Sequence, residues 1–221
     1  MDNITAKNTE QGNYAYSYDD LYRLNDVQKD TVQTEAYTYD PVGNRLTSKT
    51  ETNWSYNSNN ELQSHDGTSY QYDASGNLTS RKDKEGKTTT YEYDSLNRLI
   101  KVTDPLTGET AYTYDNRDNL ISLKDAKNQV TTFTYDKNNR LTKETRPMGQ
   151  ETSYQYDGNG NLIKKTDPKG QRIEYGYDDA NRMTAIRHYN SGNTLVKTVS
   201  LTYDNAGNLK TYNDGTTSAS Y

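Results

Sequence analysis

Tyrosine followed by aspartate recurs along the whole chain, and these carboxylates are the first groups to weigh for chemistry. The anchor tyrosines are Tyr18, Tyr39, Tyr56, Tyr72, Tyr93, Tyr114, Tyr135, Tyr156, Tyr177 and Tyr203; aspartate follows nine of them, and Asn57 follows Tyr56. Carboxylate catalysis needs two groups set close across a cleft. Here every aspartate returns at the same place in the same phrase, which is how a turn-capping residue behaves. Asp157-Gly158-Asn159-Gly160-Asn161 opens like a calcium loop, but such a loop needs Gly at its sixth position and Glu at its twelfth. Leu162 and Pro168 stand there instead. His65 and His188 are far apart in sequence, have no ligand partners at metal spacing, and are expected in exposed turns. The chain contains no cysteine, no nucleophile elbow and no phosphate-binding loop. No catalytic, cofactor-binding or metal-binding residue is therefore expected, and the chain does not read as an enzyme.

The elements that position these residues follow from the full phrase, aromatic-x-Tyr-Asp-x-x-(Gly/Asn)-x-Leu. Its anchor tyrosines are spaced 21, 17, 16, 21, 21, 21, 21, 21 and 26 residues apart. A repeat of that period means a repeat architecture. Two residues before the anchor stand Tyr16, Tyr37, Trp54, Tyr70, Tyr91, Tyr112, Phe133, Tyr154, Tyr175 and Leu201. That spacing puts both rings on one face of a strand. The aspartates Asp73, Asp94, Asp115, Asp136, Asp157, Asp178 and Asp204 open a turn and can accept from backbone amides further on. Four residues past most anchors stands Gly, Asn or Asp, including Gly76, Gly160 and Gly207; Tyr22 breaks the pattern. These types tolerate positive φ, as a three-residue hairpin loop demands. The return strand opens on Leu78, Leu99, Leu120, Leu141, Leu162 or Leu209, each facing its anchor tyrosine across the hairpin. The second repeat carries one extra residue before Leu46, which predicts a bulge or a four-residue loop. Each repeat closes with a looser turn, such as Asp83-Lys84-Glu85-Gly86, so the chain reads as an antiparallel meander of short strands.

Within the regular stretch two phrases alternate. Gly76-Asn77-Leu78 and Gly160-Asn161-Leu162 take turns with Asn97-Arg98-Leu99 and Asn139-Arg140-Leu141, so the underlying period is two hairpins. Before the tenth repeat the looser turn lengthens around His188, Tyr189 and Asn190. A loop extension in a regular array is the best single candidate for a ligand loop; the plainer alternative is a tolerated surface insertion. Residues 1–13 carry no pattern and are expected to be a flexible lead-in. Residues 14–221 form the array, which reads as a segment of a longer one.

The chain's 221 residues are 29% hydrophobic, with mean hydropathy −1.24 and a net charge of −5. That composition does not suit a thick oily core, but 22 regularly spaced tyrosines supply large buried area with polar tips. Lysine and arginine are scattered among acids without a basic block, which argues against nucleic acid. No apolar run is long enough to span a membrane as a helix, and the N-terminus carries no signal peptide.

The phrase Tyr72-Asp73-Ala74-Ser75-Gly76-Asn77-Leu78 resembles the YD repeat of Rhs proteins, Tc toxin shell components, wall-associated bacterial proteins and teneurins. The resemblance implies an all-β, antiparallel β-hairpin ribbon that spirals as an open curved sheet or partial shell. It also implies a secreted or cell-surface setting, in which bacterial members enclose a toxin. Three roles are then expected to compete: a wall segment of an encapsulating shell, a module that binds surface glycans, and a unit that self-associates through exposed edge strands.

Overall fold

The computed structural model describes residues 3–220. Met1, Asp2 and Tyr221, at the ends of the expected lead-in and array, lie outside the described residues. The chain divides into two compact units, one ending at Gly108 and the other starting at Glu109.

In the first unit the strands are β1 (Ala6–Thr9), β2 (Gly12–Tyr18), β3 (Leu24–Lys29), β4 (Val32–Ala36), β5 (Thr38–Tyr39), β6 (Arg45–Thr47), β7 (Ser55–Tyr56), β8 (Leu62–His65), β9 (Thr68–Tyr72), β10 (Leu78–Lys82), β11 (Thr88–Tyr93) and β12 (Leu99–Thr103). Strands β1 to β4 form one sheet in chain order, β5 and β6 a two-stranded ribbon, and β7 to β12 a meander. The second unit is a single meander of β13 (Glu109–Tyr114), β14 (Leu120–Lys124), β15 (Val130–Tyr135), β16 (Leu141–Arg146), β17 (Gln150–Tyr156), β18 (Leu162–Thr166), β19 (Arg172–Tyr177), β20 (Met183–Tyr189), β21 (Leu195–Tyr203), β22 (Leu209–Asn213) and β23 (Ser218–Ser220). Every pairing between these strands is antiparallel, as hairpins joined by short turns require.

Within each unit, substantial contact is confined to strands that are neighbours in sequence, so no second layer packs on the sheet. Among the described residues the buried apolar side chains are Val27, Ala185 and Val199. Strands such as β11 alternate, with Thr89, Tyr91 and Tyr93 on the covered face and Thr88, Thr90 and Glu92 on the open one, whereas β12 and β18 are half-buried along their length. The tyrosine rings themselves cover the inner face.

Each hairpin loop has the three-residue geometry. In the fourth repeat Asp73 N–H donates to Asn77 O (2.9 Å), Gly76 N–H donates to Asp73 O (3.1 Å), and Tyr72 pairs with Leu78. The register then slips by one residue directly beyond that pair, and the same slip follows the anchor tyrosine in the other nine repeats. A bulge therefore belongs to every hairpin. The second repeat has no longer loop: Asp40 and Asn44 close the usual turn, and Arg45 takes the leucine's register opposite Tyr39. Leu46 is displaced to the bulge position and lies 36% exposed.

Three further expectations need correction. The turns that close the repeats are not looser. Asp83 N–H donates to Lys87 O, Gly86 N–H to Asp83 O, and Lys87 N–H to Asp83 Oδ1, the same contacts as at Asp73. At Pro147-Met148-Gly149 a short 3-10 turn replaces them, and at Asp30-Thr31 and Asp66-Gly67 a two-residue turn with positive φ at both positions. The extension before the tenth repeat lengthens strands, not a loop: β20 pairs with β21 from Ala185↔Ser200 out to Tyr189↔Leu195, and Asn190 caps an ordinary tight turn. His65 and His188 are strand residues, both half-buried, because ladder pairing continues through them.

The lead-in also carries structure. Ala6–Thr9 is β1 and pairs with β2 from Ala6↔Ala15 to Thr9↔Gly12. Its residues show no apolar alternation, so nothing local announces it; backbone pairing with β2 alone makes it a strand.

Candidate functional site: the tyrosine–aspartate turn row

The four-residue spacing between aspartate and the end of the loop brings the carboxylate back over its own turn. Asp157 Oδ1 accepts from Asn159 N–H (3.0 Å) and Asn161 N–H (2.8 Å), while Oδ2 accepts from Asn161 Nδ2 (3.0 Å). Asp136 makes the same backbone contacts, and its Oδ2 takes Arg140 Nε at 2.7 Å. These bonds hold the ionised form. The side chain of the Asn or Arg four residues on, joined by the backbone amides, keeps Asp73, Asp94, Asp115, Asp136, Asp157 and Asp204 below the usual carboxylate range. Each carboxylate is committed to its turn. No group of His, Asp or Glu among the described residues is arranged to hold a metal ion.

The slot four residues past the anchor has positive φ in all ten turns: Tyr22 (61°), Gly43 (100°), Asn60 (62°), Gly76 (83°), Asn97 (60°), Asp118 (64°), Asn139 (59°), Gly160 (96°), Asn181 (61°) and Gly207 (90°). Tyr22 is held there without any of the features that make the conformation easy.

The anchor hydroxyls join one hairpin to the next. Tyr39 donates to Leu24 O (2.6 Å), Tyr56 to Arg45 O (2.9 Å), Tyr72 to Leu62 O (3.0 Å) and Tyr93 to Leu78 O (3.0 Å). Tyr135, Tyr156, Tyr177 and Tyr203 do the same to Leu120, Leu141, Leu162 and Met183. The reason is visible at β10 and β11. Their backbone pairing ends at Ser80↔Thr90, and the hydroxyl of Tyr93, three residues on, takes up the Leu78 carbonyl that the ladder leaves over. In the first unit this contact also bridges seams where strand pairing lapses, from β3 to β5 through Tyr39 and from β6 to β7 through Tyr56. Spacing alone shows that the hydroxyl wants a partner but not which repeat supplies it.

The two alternating phrases have two distinct jobs. In the turns that end Gly-Asn or Asp-Asn the asparagine amide also donates to the next turn: Asn77 to Asn97 Oδ1 (2.8 Å), Asn119 to Asn139 Oδ1 (3.0 Å), Asn161 to Asn181 Oδ1 (2.8 Å). In the asparagine–arginine turns the guanidinium reaches forward. Arg140 Nη1 donates to Asp157 O (3.1 Å) and its Cζ lies 4.7 Å from the Tyr156 ring centroid. Arg23 does the same at Asp40 and Tyr39, and Arg182 at Asp204 and Tyr203. The turns that receive Arg23, Arg140 and Arg182 have φ of 100°, 96° and 90° at Gly43, Gly160 and Gly207, a range that glycine alone reaches easily.

At the extended hairpin, His188, Tyr189 and Asn190 border a groove of about 490 Å³ together with Lys165, Arg172 and Ile173. Two of its polar groups are occupied: Arg172 Nε meets Glu174 at 2.7 Å and its Cζ sits 3.8 Å from the Tyr189 ring centroid, while Asn190 Oδ1 accepts from Thr194 N–H. The chain's single tryptophan is likewise covered. Arg45 Cζ lies 4.1 Å from the Trp54 ring centroid, and His65 stacks on it at 4.4 Å. His65 Nε2 meets the Tyr70 hydroxyl at 3.0 Å. This stack, built from two repeats that look merely irregular in sequence, had no signal beyond the lone tryptophan.

An antiparallel hairpin series whose turns are capped by aspartate and whose repeats are joined by tyrosine hydroxyls defines a β-hairpin repeat array. The family follows from comparison: residues 1–129 match the teneurin YD-shell, and residues 114–151, 135–168 and 156–194 match the RHS repeat. The chain belongs to the teneurin YD-shell family. Among solved structures it is similar to TcdB2-TccC3 (18% identity, TM-score 0.56), covering 95% of this chain and 15% of that one. It is similar also to TcdB2-TccC3-Cdc42 (18%, 0.56) and to the Photorhabdus luminescens Tc holotoxin pore (19%, 0.56), each covering 95% of this chain and 14% of the other. The chain thus spans about one seventh of the length of these structures' chains. No curated protein matches it in sequence.

Proposed function

We propose that this chain is a wall segment of a secreted or cell-surface β-shell that encloses or presents a polypeptide carried elsewhere in the same protein, and that it performs no catalysis itself. The observation that carries this reading is the hydroxyl-to-carbonyl bond repeated from hairpin to hairpin. It lets the sheet continue sideways by one rule, without the thick core that a globular binding domain would need. The likeness to Tc toxin structures supports it. The array of residues 14–221 then serves as wall, with the tyrosine, aspartate, glycine and leucine positions as its structural motif.

The test is limited proteolysis of the full-length protein that contains this segment. An enclosed polypeptide stays intact at protease concentrations that digest it when expressed alone, and becomes cleavable once the shell is denatured. Digestion at equal rates in both settings overturns the reading.

A second reading is self-association through edge strands: among the described residues β1 pairs with β2 alone. Glycan binding gains no such support, since the rings of Trp54 and Tyr189 are already covered by cations or a stacked imidazole.

A further inference from the structure

The extended hairpin leaves one row of side chains only partly satisfied. Strand register sets Lys165 beside Ile173, Ile173 beside His188 and His188 beside Lys197, so they stand in one row across β18 to β21. Lys197 Nζ reaches Asp214 Oδ2 at 3.1 Å. Lys165 makes no ion pair among the described residues; its Nζ lies 5.7 Å from the Tyr154 ring centroid. It stands opposite Tyr154, the place that Val102, Leu123 and Ile186 take opposite Tyr91, Tyr112 and Tyr175. The His188 ring is half-buried and makes no hydrogen bond among the described residues. Asn190 Oδ1 accepts from Thr194 N–H, which leaves its Nδ2 as a donor. These groups border the groove of about 490 Å³, whose apolar surface comes from Ile173, Tyr189 and Val196. Val196 is 65% exposed and Leu195 beside it 49%. The acids at the groove are engaged: Asp167 Oδ1 accepts from Lys169 N–H (2.9 Å) and Gln171 N–H (2.8 Å), and Glu174 holds Arg172.

We infer that this groove binds a small carboxylate with an apolar body, the carboxylate on Lys165 and the body over Ile173 and Val196. Lys165 is half-buried, and an unpaired ammonium in a lower effective dielectric attracts an anion more strongly than a solvated surface lysine does. A carboxylate accepts from several donors at once, and His188 and Asn190 Nδ2 supply further donors along the same groove. The apolar wall selects against a bare anion. Covering Ile173 and Val196 removes hydrocarbon from water, a gain that only a ligand with an apolar body can make. The volume of the groove is that of a small-molecule site. The inference rests on the row from Lys165 to His188 and stands whether or not the chain encloses anything.

The test is a heteronuclear NMR titration of the full chain with 3-phenylpropionate, its neutral amide and acetate. The expected result is saturable shifts with 3-phenylpropionate, centred on Lys165, Ile173, His188 and Asn190. The amide keeps the ring and loses the charge; acetate keeps the charge and loses the ring. Each should bind at least about fivefold more weakly. Lys165→Gln should weaken 3-phenylpropionate by a similar factor. Lys164→Gln should not, because Lys164 lies on the opposite face of β18, in register with Glu174. The comparison of probes uses the unaltered chain, so it decides the matter even where a variant fails to fold. Absence of saturable shifts, shifts centred elsewhere, equal binding of the amide or of acetate, or equal effects of the two lysine substitutions overturns the inference.

Discussion

At the scale of single residues, the chain relies on two polar atoms in each repeat, the tyrosine hydroxyl and the aspartate carboxylate. Tyr135 donates to Leu120 O at 3.0 Å across the hairpin boundary. Tyr135→Phe keeps the ring and strands the carbonyl, so it should cost about 0.5–1.5 kcal/mol in urea unfolding; no change would mean that water replaces the hydroxyl. Tyr22 sits at φ 61° and is 77% exposed. Its side chain gains little there, so Tyr22→Asn should stabilise by roughly 0.5–1 kcal/mol, as relief of a left-handed strain. The two polar atoms also fix the pH response. The turn carboxylates are held low by their Asn or Arg partners. Their stabilisation is complete above the unfolded value near 4 and is lost as pH falls through the folded values. Burial raises the phenols of Tyr56, Tyr72, Tyr93, Tyr135 and Tyr177. That contribution is complete below about pH 10 and is lost as pH climbs through the folded values. The thermal midpoint should therefore hold a plateau and fall at both ends; a profile flat down to about pH 2 would dismiss the carboxylates' role. Both residues were legible in sequence by recurrence alone. The partner of the hydroxyl was not, because it lies in another repeat, on a carbonyl freed by a bulge.

At the scale of elements, one turn chemistry serves both ends of the hairpins, and its variants set how neighbours meet. Gly160 at φ 96° receives Arg140, whose Nη1 would lie 3.8 Å from an added Cβ. Space is available, but the backbone angle is not, so Gly160→Ala should cost about 1–2 kcal/mol. Gly158 in the same loop has ordinary φ and nothing within 4 Å. Gly158→Ala is therefore the matched control and should be neutral or slightly stabilising. Equal losses at both positions would discredit the left-handed slot as the cause. The alternation of asparagine and arginine was visible as a pattern, but its cause is contact between successive turns, which a one-dimensional period cannot display. The closing turns were misread as loose although Asp83-Lys84-Glu85-Gly86 carries the aspartate and glycine of the tight type. Their missing Tyr and Leu neighbours hid the equivalence. At His188-Tyr189-Asn190 the added residues continue the ladder because Thr198 and Val199 have partners waiting in Arg187 and Ile186.

At the scale of the whole molecule, stability is carried by contacts between sequential strands, with Val27, Ala185 and Val199 the buried apolar side chains among the described residues. Such a chain behaves as a sum of hairpins and their junctions. Ending it at Thr166, which removes β19 to β23, should lower the urea m-value in proportion to the surface lost. The remaining strands should keep their circular dichroism per residue. Collapse of the whole signal would show instead that the sheet folds as one indivisible body. Composition foretold this thin construction correctly: 29% hydrophobic content is too little for a two-layer core, and 22 tyrosines are enough to line one face.

The covered indole has an optical consequence. Trp54 is the chain's one tryptophan, held between a guanidinium and an imidazole ring at the join of β6 and β7. Protonated or hydrogen-bonded imidazole quenches indole emission by contact, so the folded protein should be dim despite its many tyrosines. Separation of that join should appear as a rise in tryptophan fluorescence, giving a native reporter for one seam of the wall without any added label.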